Sequence, residues 1–200
     1  MCLKVRRLPD RATWPAPLLA LALVTASTGA PSAWAAPTPP KSSVPASTTA
    51  DDPAAEAARA RARAKTLYSK AYEETERAKA DLLAKKDKDA AKRFSKALKQ
   101  FDEATRLDPD YFEAWNMVGY CARKTGDLKR AFAAYEKSLA INPDYEEAHE
   151  YLGEAWLLSG DIAKAREQLA WLKEKQSEEA AELEESIEAA EKAKAAAGTP

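Results

Sequence analysis

The side chains able to do chemistry are few and scattered. His149 is the one histidine in 200 residues, so a histidine-rich metal site is excluded and any imidazole acid–base role falls to it alone. It stands at a helix-packing position, which predicts a packed ring rather than a proton carrier. Cys2 and Cys121 are the two thiols. Cys2 falls in a segment expected to be removed, which leaves Cys121 with no partner for an internal disulfide and reads it as an inert packing thiol. The six glycines, Gly29, Gly119, Gly126, Gly153, Gly160 and Gly198, are too dispersed to form a loop that cradles phosphate. Carboxylates are abundant, but on charged helices they make solvated faces. The inventory predicts no enzyme, no catalytic residue, no cofactor and no metal. One enzymatic alternative stays open, a hydrolase or transferase that would have to work through His149.

The elements that position these residues read as helices. Ala, Glu, Lys and Leu dominate the chain beyond its first fifty residues, and no stretch alternates apolar and polar residues as a half-buried strand does. Between Pro109 and Gly160 one pattern opens, and it returns 34 positions later. Pro109-Asp110-Tyr111 returns as Pro143-Asp144-Tyr145, Glu113-Ala114 as Glu147-Ala148, Gly119 as Gly153, Gly126-Asp127 as Gly160-Asp161, and Ala131 as Ala165. Trp115, Val118, Gly119 and Ala122 form one stripe of a first helix. Gly126-Asp127 makes the turn, since glycine accepts positive φ and aspartate caps the next helix. Leu128, Ala131, Tyr135 and Ser138 carry the facing stripe of a second helix. Gly119 and Ala131 are small where two axes must approach, and Pro143 ends the unit.

This unit resembles the tetratricopeptide repeat, whose pattern Trp115, Gly119, Ala131, Tyr135, Ser138 and Pro143 follow. The next copy departs from it at His149, Trp156, Leu169, Leu172 and Ser177, and an earlier, degenerate copy shows in Ala97, Phe101, Ala104 and Pro109, its first helix out of phase. The resemblance implies an all-α fold of TPR-like helical hairpin repeats, a short right-handed solenoid with a C-terminal capping helix. It also implies a concave groove, lined by the first helices of successive repeats, that holds an extended peptide or a helix. Carried over residue by residue, the groove positions are Glu113, Asn116, Tyr120 and Arg123 in the middle copy and Glu147, Glu150, Glu154 and Leu157 in the third. Glu150 and Glu154 would repel a partner's C-terminal carboxylate. A partner segment bearing Lys or Arg beside apolar residues fits better, with Tyr120 and Leu157 as apolar contacts.

Residues 1–35 read as a secretory signal: a basic start at Lys4, Arg6, Arg7 and Arg11, an apolar centre at Leu18 to Val24, and a small-x-small cleavage site at Ala33-Trp34-Ala35. A retained anchor is the competing reading, although the apolar centre is short for a span. Residues 36–51, with Pro37, Pro39, Pro40 and Pro45 among Ser, Thr and Ala, read as an extended linker. Then come a long helix plus the second helix of a degenerate first repeat (52–108), two further repeats (109–142 and 143–176) and a capping helix (177–197), whose apolar stripe is Ala180, Leu183, Ile187 and Ala190.

Without residues 1–35, which hold four basic side chains and one acidic, 27 basic side chains face 31 acidic ones, a net charge of −4. That balance argues against nucleic acid. The residues from 53 to 85 carry a small-residue seam at Ala64, Leu67, Ala71, Ala78 and Leu82, which packs either on the first repeat's second helix or on a second copy of the chain as a coiled-coil-like dimer. Arg59, Arg61 and Arg63 spread around this helix, which predicts a solvated face rather than a membrane-binding one. The sequence thus predicts an exported, non-catalytic adaptor that binds a protein or peptide partner, with self-association through residues 53–85 as the alternative.

Overall fold

The computed structural model describes residues 52–197; the expected signal and linker lie outside them. The described residues form seven helices and no strand: α1 (Pro53–Leu83), α2 (Asp87–Leu107), α3 (Phe112–Lys124), α4 (Leu128–Ile141), α5 (Glu146–Ser159), α6 (Ile162–Glu174) and α7 (Glu179–Ala197). Among them, no helix is long and apolar enough to cross a membrane.

Helix starts follow from local chemistry. The Asp52 carboxylate accepts the Ala54 N–H at 3.0 Å, with Pro53 in the first position of α1. Asp127 and Asp161, one repeat apart, accept the Arg130 and Lys164 N–H groups, each at 3.1 Å. These caps satisfy donors that the first turn of a helix leaves without intrahelical partners. The α3–α4 and α5–α6 turns use Gly126 and Gly160 at φ +88° and +86°. Lacking a glycine, the α1–α2 turn reads from sequence as longer or looser than these. It is as short as the α3–α4 turn, because Lys85 itself adopts φ 57°.

Successive helices pack as antiparallel pairs, α1 with α2, α3 with α4, and α5 with α6, and α7 lies against both α5 and α6. The first helices also touch their next-but-one neighbours, α1 to α3, α3 to α5 and α5 to α7, whereas the backbones of α2, α4 and α6 stay apart, α2 and α4 being joined by the Arg130–Asp102 ion pair. That asymmetry makes α1, α3, α5 and α7 the inner layer of a curved helical-repeat solenoid.

The seam of α1 is used inside the chain. Ala64, Ala71 and Ala78 are fully buried, and Ala71 and Ala78 share a core with Ala90, Phe94, Ala97 and Phe101 of α2, joined by Tyr68 and Tyr72. The surface that pairing with a second copy would need is therefore covered by α2. Leu82 departs from the expected seam and is exposed. The first buried residue of α2 is Ala90, so no apolar side chain of the first turn of α2 is buried against Leu82. Lower down the hairpin, Glu74 is buried and clips the two helices together. Its carboxylate meets Arg77 at 2.9 Å and Arg93 and Lys96 at 3.2 Å, while Arg93 also donates to Asp81 at 2.7 Å.

The small positions of the repeat are set by close approach. A Cβ on Gly119 would lie 2.5 Å from the ring of Tyr135, so the α3–α4 crossing admits only glycine there. Gly153, its counterpart, meets a different helix. A Cβ there would lie 2.5 Å from Leu183 of α7. Leu169 stands where Tyr135 stands one repeat earlier, and Leu183 takes the place beside the glycine. The stripe of α7 is buried as expected at Ala180, Leu183 and Ile187.

Candidate functional site

The inner wall is built from one face each of α1, α3 and α5. Glu113 and Glu147 lie in the first turns of α3 and α5, and Arg123 and Lys124 in the last turn of α3. Each sign complements the partial charge of its helix end. Tyrosines run between them: Tyr68 lies 6.1 Å from Tyr72 and 5.1 Å from Tyr111, and Tyr120 lies 5.1 Å from Tyr151. Three cations gather on Tyr120, with Lys79 and Lys124 both 5.3 Å and Arg123 5.4 Å from the ring centroid. Cations over an aromatic face attract its electron density, so they fix the ring and are themselves held. Burial, outweighing the neighbouring Arg123 guanidinium, raises the Tyr120 hydroxyl above its ordinary pKa.

The eight positions implied by the repeat are on this wall or beside it, but four of them are closed to solvent. Asn116 is fully buried, and Tyr120, Arg123 and Glu150 are 6%, 7% and 4% exposed. Glu113, Glu147, Glu154 and Leu157 are half-buried. The causes are local. Tyr120 is covered by Phe94 and Tyr151 as well as by its cations. Arg123 donates through Nε to the Tyr135 hydroxyl at 3.3 Å and pairs with Glu154, which ties α3 to α5. Arg123 is thereby engaged within the chain, and the Glu154 charge is answered by it. Asn116 lies close enough to Tyr145 to act on it, yet neither of its amide atoms reaches a partner with hydrogen-bond geometry. The Tyr145 hydroxyl donates instead to Glu147.

Glu150 is buried because α7 lies over it. The carboxyl oxygens of Glu150, Glu179 and Glu182 converge within 4.8 Å of one another. Burial first, and then Glu179, Glu154 and Glu182, push the Glu150 carboxyl well above the usual carboxylate range. Burial and mutual repulsion thus favour the protonated form of Glu150. Sequence spacing does not reveal the trio, since Glu179 comes from the helix assigned only to capping.

The two candidate reactive groups are both engaged within the chain. His149 stacks on Trp171 with ring centroids 3.6 Å apart, and its Nε2 lies 3.0 Å from the Pro143 carbonyl. Trp115 Nε1, 34 residues earlier, donates to the Pro109 carbonyl at 2.9 Å. His149 thus does the tryptophan's job in its repeat, and a carbonyl partner requires the imidazole N–H at Nε2. Nδ1, bare in that tautomer, lies 2.8 Å from the Gln168 side-chain amide, whose NH2 group is the end that can donate to it. Cys121 is fully buried, with its Sγ 3.8 Å from Thr75 Oγ1. Burial pushes its thiol up to about 12. The inner-wall residues that the repeat pattern does not mark are Tyr72, Lys79, Lys124 and Tyr151. Two of them belong to the out-of-phase α1, where no position of the pattern applies.

Two models described as tetratricopeptide repeat match the chain, one over residues 86–146 and one over 122–187. No curated protein sequence matches it. Solved structures to which the chain is similar include the type III secretion translocator chaperone SycD of Yersinia enterocolitica, 19% identical with a TM-score of 0.49 over 65% of this chain and 84% of that one. SycD in complex with a peptide of the translocator YopD is 18% identical, with a TM-score of 0.45 over 65% and 93%. The Arabidopsis OM64 TPR domain is 16% identical, with a TM-score of 0.46 over 61% and 97%.

Proposed function

Because residues 86–187, about half of the chain, belong to the tetratricopeptide repeat family, we propose that this protein is a non-catalytic scaffold that holds a segment of another protein along its inner wall. The observation that carries the reading is the wall itself. Its tyrosines and charged residues are fixed by contacts within the chain, so a partner meets a surface already ordered and little entropy is lost on binding. Of the acidic groove positions, Glu150 is covered and Glu154 is paired with Arg123, while Glu113 and Glu147, the latter accepting from Tyr145, stand half-buried at one end and Lys79 and Lys124 lie at the other. A partner segment with apolar residues for Tyr151 and Leu157 and a basic residue for Glu113 and Glu147 matches that layout.

Export belongs to the same proposal. It rests on the basic start, apolar centre and cleavage site of residues 1–35, and it places the scaffold in the cell envelope or beyond. Photo-crosslinking residues placed at Lys124 and Leu157, and as controls at Ser95 and Glu136 on the exposed faces of α2 and α4, test the scaffold reading in native cells. Adducts to one partner from the inner positions alone, lost when Glu113→Lys and Glu147→Lys are combined, are expected. Equal adducts from inner and outer positions would sink it. The same sample, sequenced from its N-terminus, is expected to begin at Ala36; an intact Met1 would overturn export by cleavage.

A further inference from the structure

The first turn of α7 is seated on α5 through carboxyl groups. Glu150 is buried in α5 and Glu179 is buried in α7, with Glu182 at the exposed edge, and their oxygens share a space of 4.8 Å. Two carboxylates that close and out of water cannot both be charged without strong repulsion. The groups acting on Glu150 are all acidic, namely Glu179 and Glu182 from α7 and Glu154 from its own helix. From α3, Arg123 is committed to Glu154 and Tyr135. The buried residues of α4 and α6, which also pack on α5, are uncharged.

We propose that the seating of α7 is proton-linked: a proton held between Glu150 and Glu179 keeps α7 on α5 and α6, and its loss releases the helix and uncovers the apolar surface around Gly153, Leu169 and Leu172. Seating covers Leu172, Leu183 and Ile187 in one cluster, with Trp156 and Trp171 at its edge. The apolar contacts drive the helix on, and the carboxyl pair sets the condition under which they can form.

The sign follows from the direction of the shift. Glu150 is raised in the seated state, so seating takes up a proton. The stabilisation is fully present below the ordinary Glu value of 4.5 and is lost as pH rises above it. For one proton the seating equilibrium falls by about tenfold per pH unit across that window. The inference is independent of the partner reading, because it concerns how the chain closes its own end.

Hydrogen exchange of the full chain between pH 5.5 and 8, corrected for the intrinsic pH dependence of amide exchange, tests it. Protection of residues 179–197 is expected to fall by about tenfold per pH unit, while α3 and α4 hold theirs. Glu150→Gln should keep at pH 8 the protection that the parent shows at pH 5.5, with a flat profile. Glu179→Gln, which removes the facing charge but leaves Glu150 buried, should make the slope shallower than the parent's, and it carries the test if Glu150→Gln loses protection throughout the chain. A flat parent profile, or glutamine variants that keep the parent's slope, would overturn the proposal.

Discussion

Gly119→Ala tests the close approach on which the repeat packing depends. The added Cβ would lie 2.5, 2.6 and 2.8 Å from three atoms of the Tyr135 ring, all inside normal contact. The ring has nowhere to go. It is fully buried, its hydroxyl accepts from Arg123 at 3.3 Å, and Tyr151 lies 6.4 Å from it. Overpacking of this kind costs about 3 kcal/mol at the upper end of its usual range. Alanine returns about 1 kcal/mol through its better helix propensity. The expected net loss is about 2 kcal/mol, which for a chain of this size lowers the midpoint by roughly 4–8 °C. Thermal and urea unfolding followed by far-UV circular dichroism measure it. Combining Gly119→Ala with Tyr135→Leu should recover part of the loss as a favourable coupling, since leucine stands at this point in the next repeat. An alanine variant that melts at or above the parent, or a double variant with no coupling, would refute the steric argument.

Two further outcomes are expected. Cys121 should resist a disulfide reagent at pH 8 in the folded chain and react only on unfolding, because burial, against a small opposing effect of Thr75, holds its thiol at about 12; prompt stoichiometric labelling of folded protein would contradict this. Acid should loosen the α1–α2 hairpin. Burial alone would raise Glu74, but Lys96, Arg93 and Arg77 outweigh it and hold the carboxyl low, so its stabilisation is present above the ordinary value of 4.5 and lost as pH falls through the depressed one. Amide protection in α1 and α2 should therefore drop below about pH 4.5 while that of α7 does not; a Glu74→Gln variant with an unchanged acid profile would count against the clip.

The middle repeat was readable residue by residue, because its features are local. Gly126 must take positive φ, Asp127 must cap, and Gly119 must be small whichever helices follow. The inner wall was readable only in part. The pattern says which face Asn116, Tyr120, Arg123 and Glu150 lie on, but not what covers that face. Phe94 comes over Tyr120 from α2, and α7 comes over Glu150 from 29 residues down the chain. Those are tertiary facts, set by how helices from different units stack. The burial of Glu150 and Glu179 was hidden for a second reason: glutamate on a charged helix reads as solvated, and nothing nearby in sequence distinguishes these two from Glu178 or Glu185. The turn after α1 is short because Lys85 takes the left-handed conformation without a glycine's help, which residue type does not signal, and Leu82 is exposed because a helix can outrun the neighbour that would bury it.

The outer helices α2, α4 and α6 pack their backbones on inner ones, and α2 and α4 meet through the Arg130–Asp102 ion pair. Mechanically, that leaves the back of the molecule laced by side chains where the inner layer is packed, with the inner layer as its pivot. A partner that wedges α1 and α3 apart would therefore pull on the Arg130–Asp102 pair, so that occupancy of the hollow side is sensed at an ion pair on the far side.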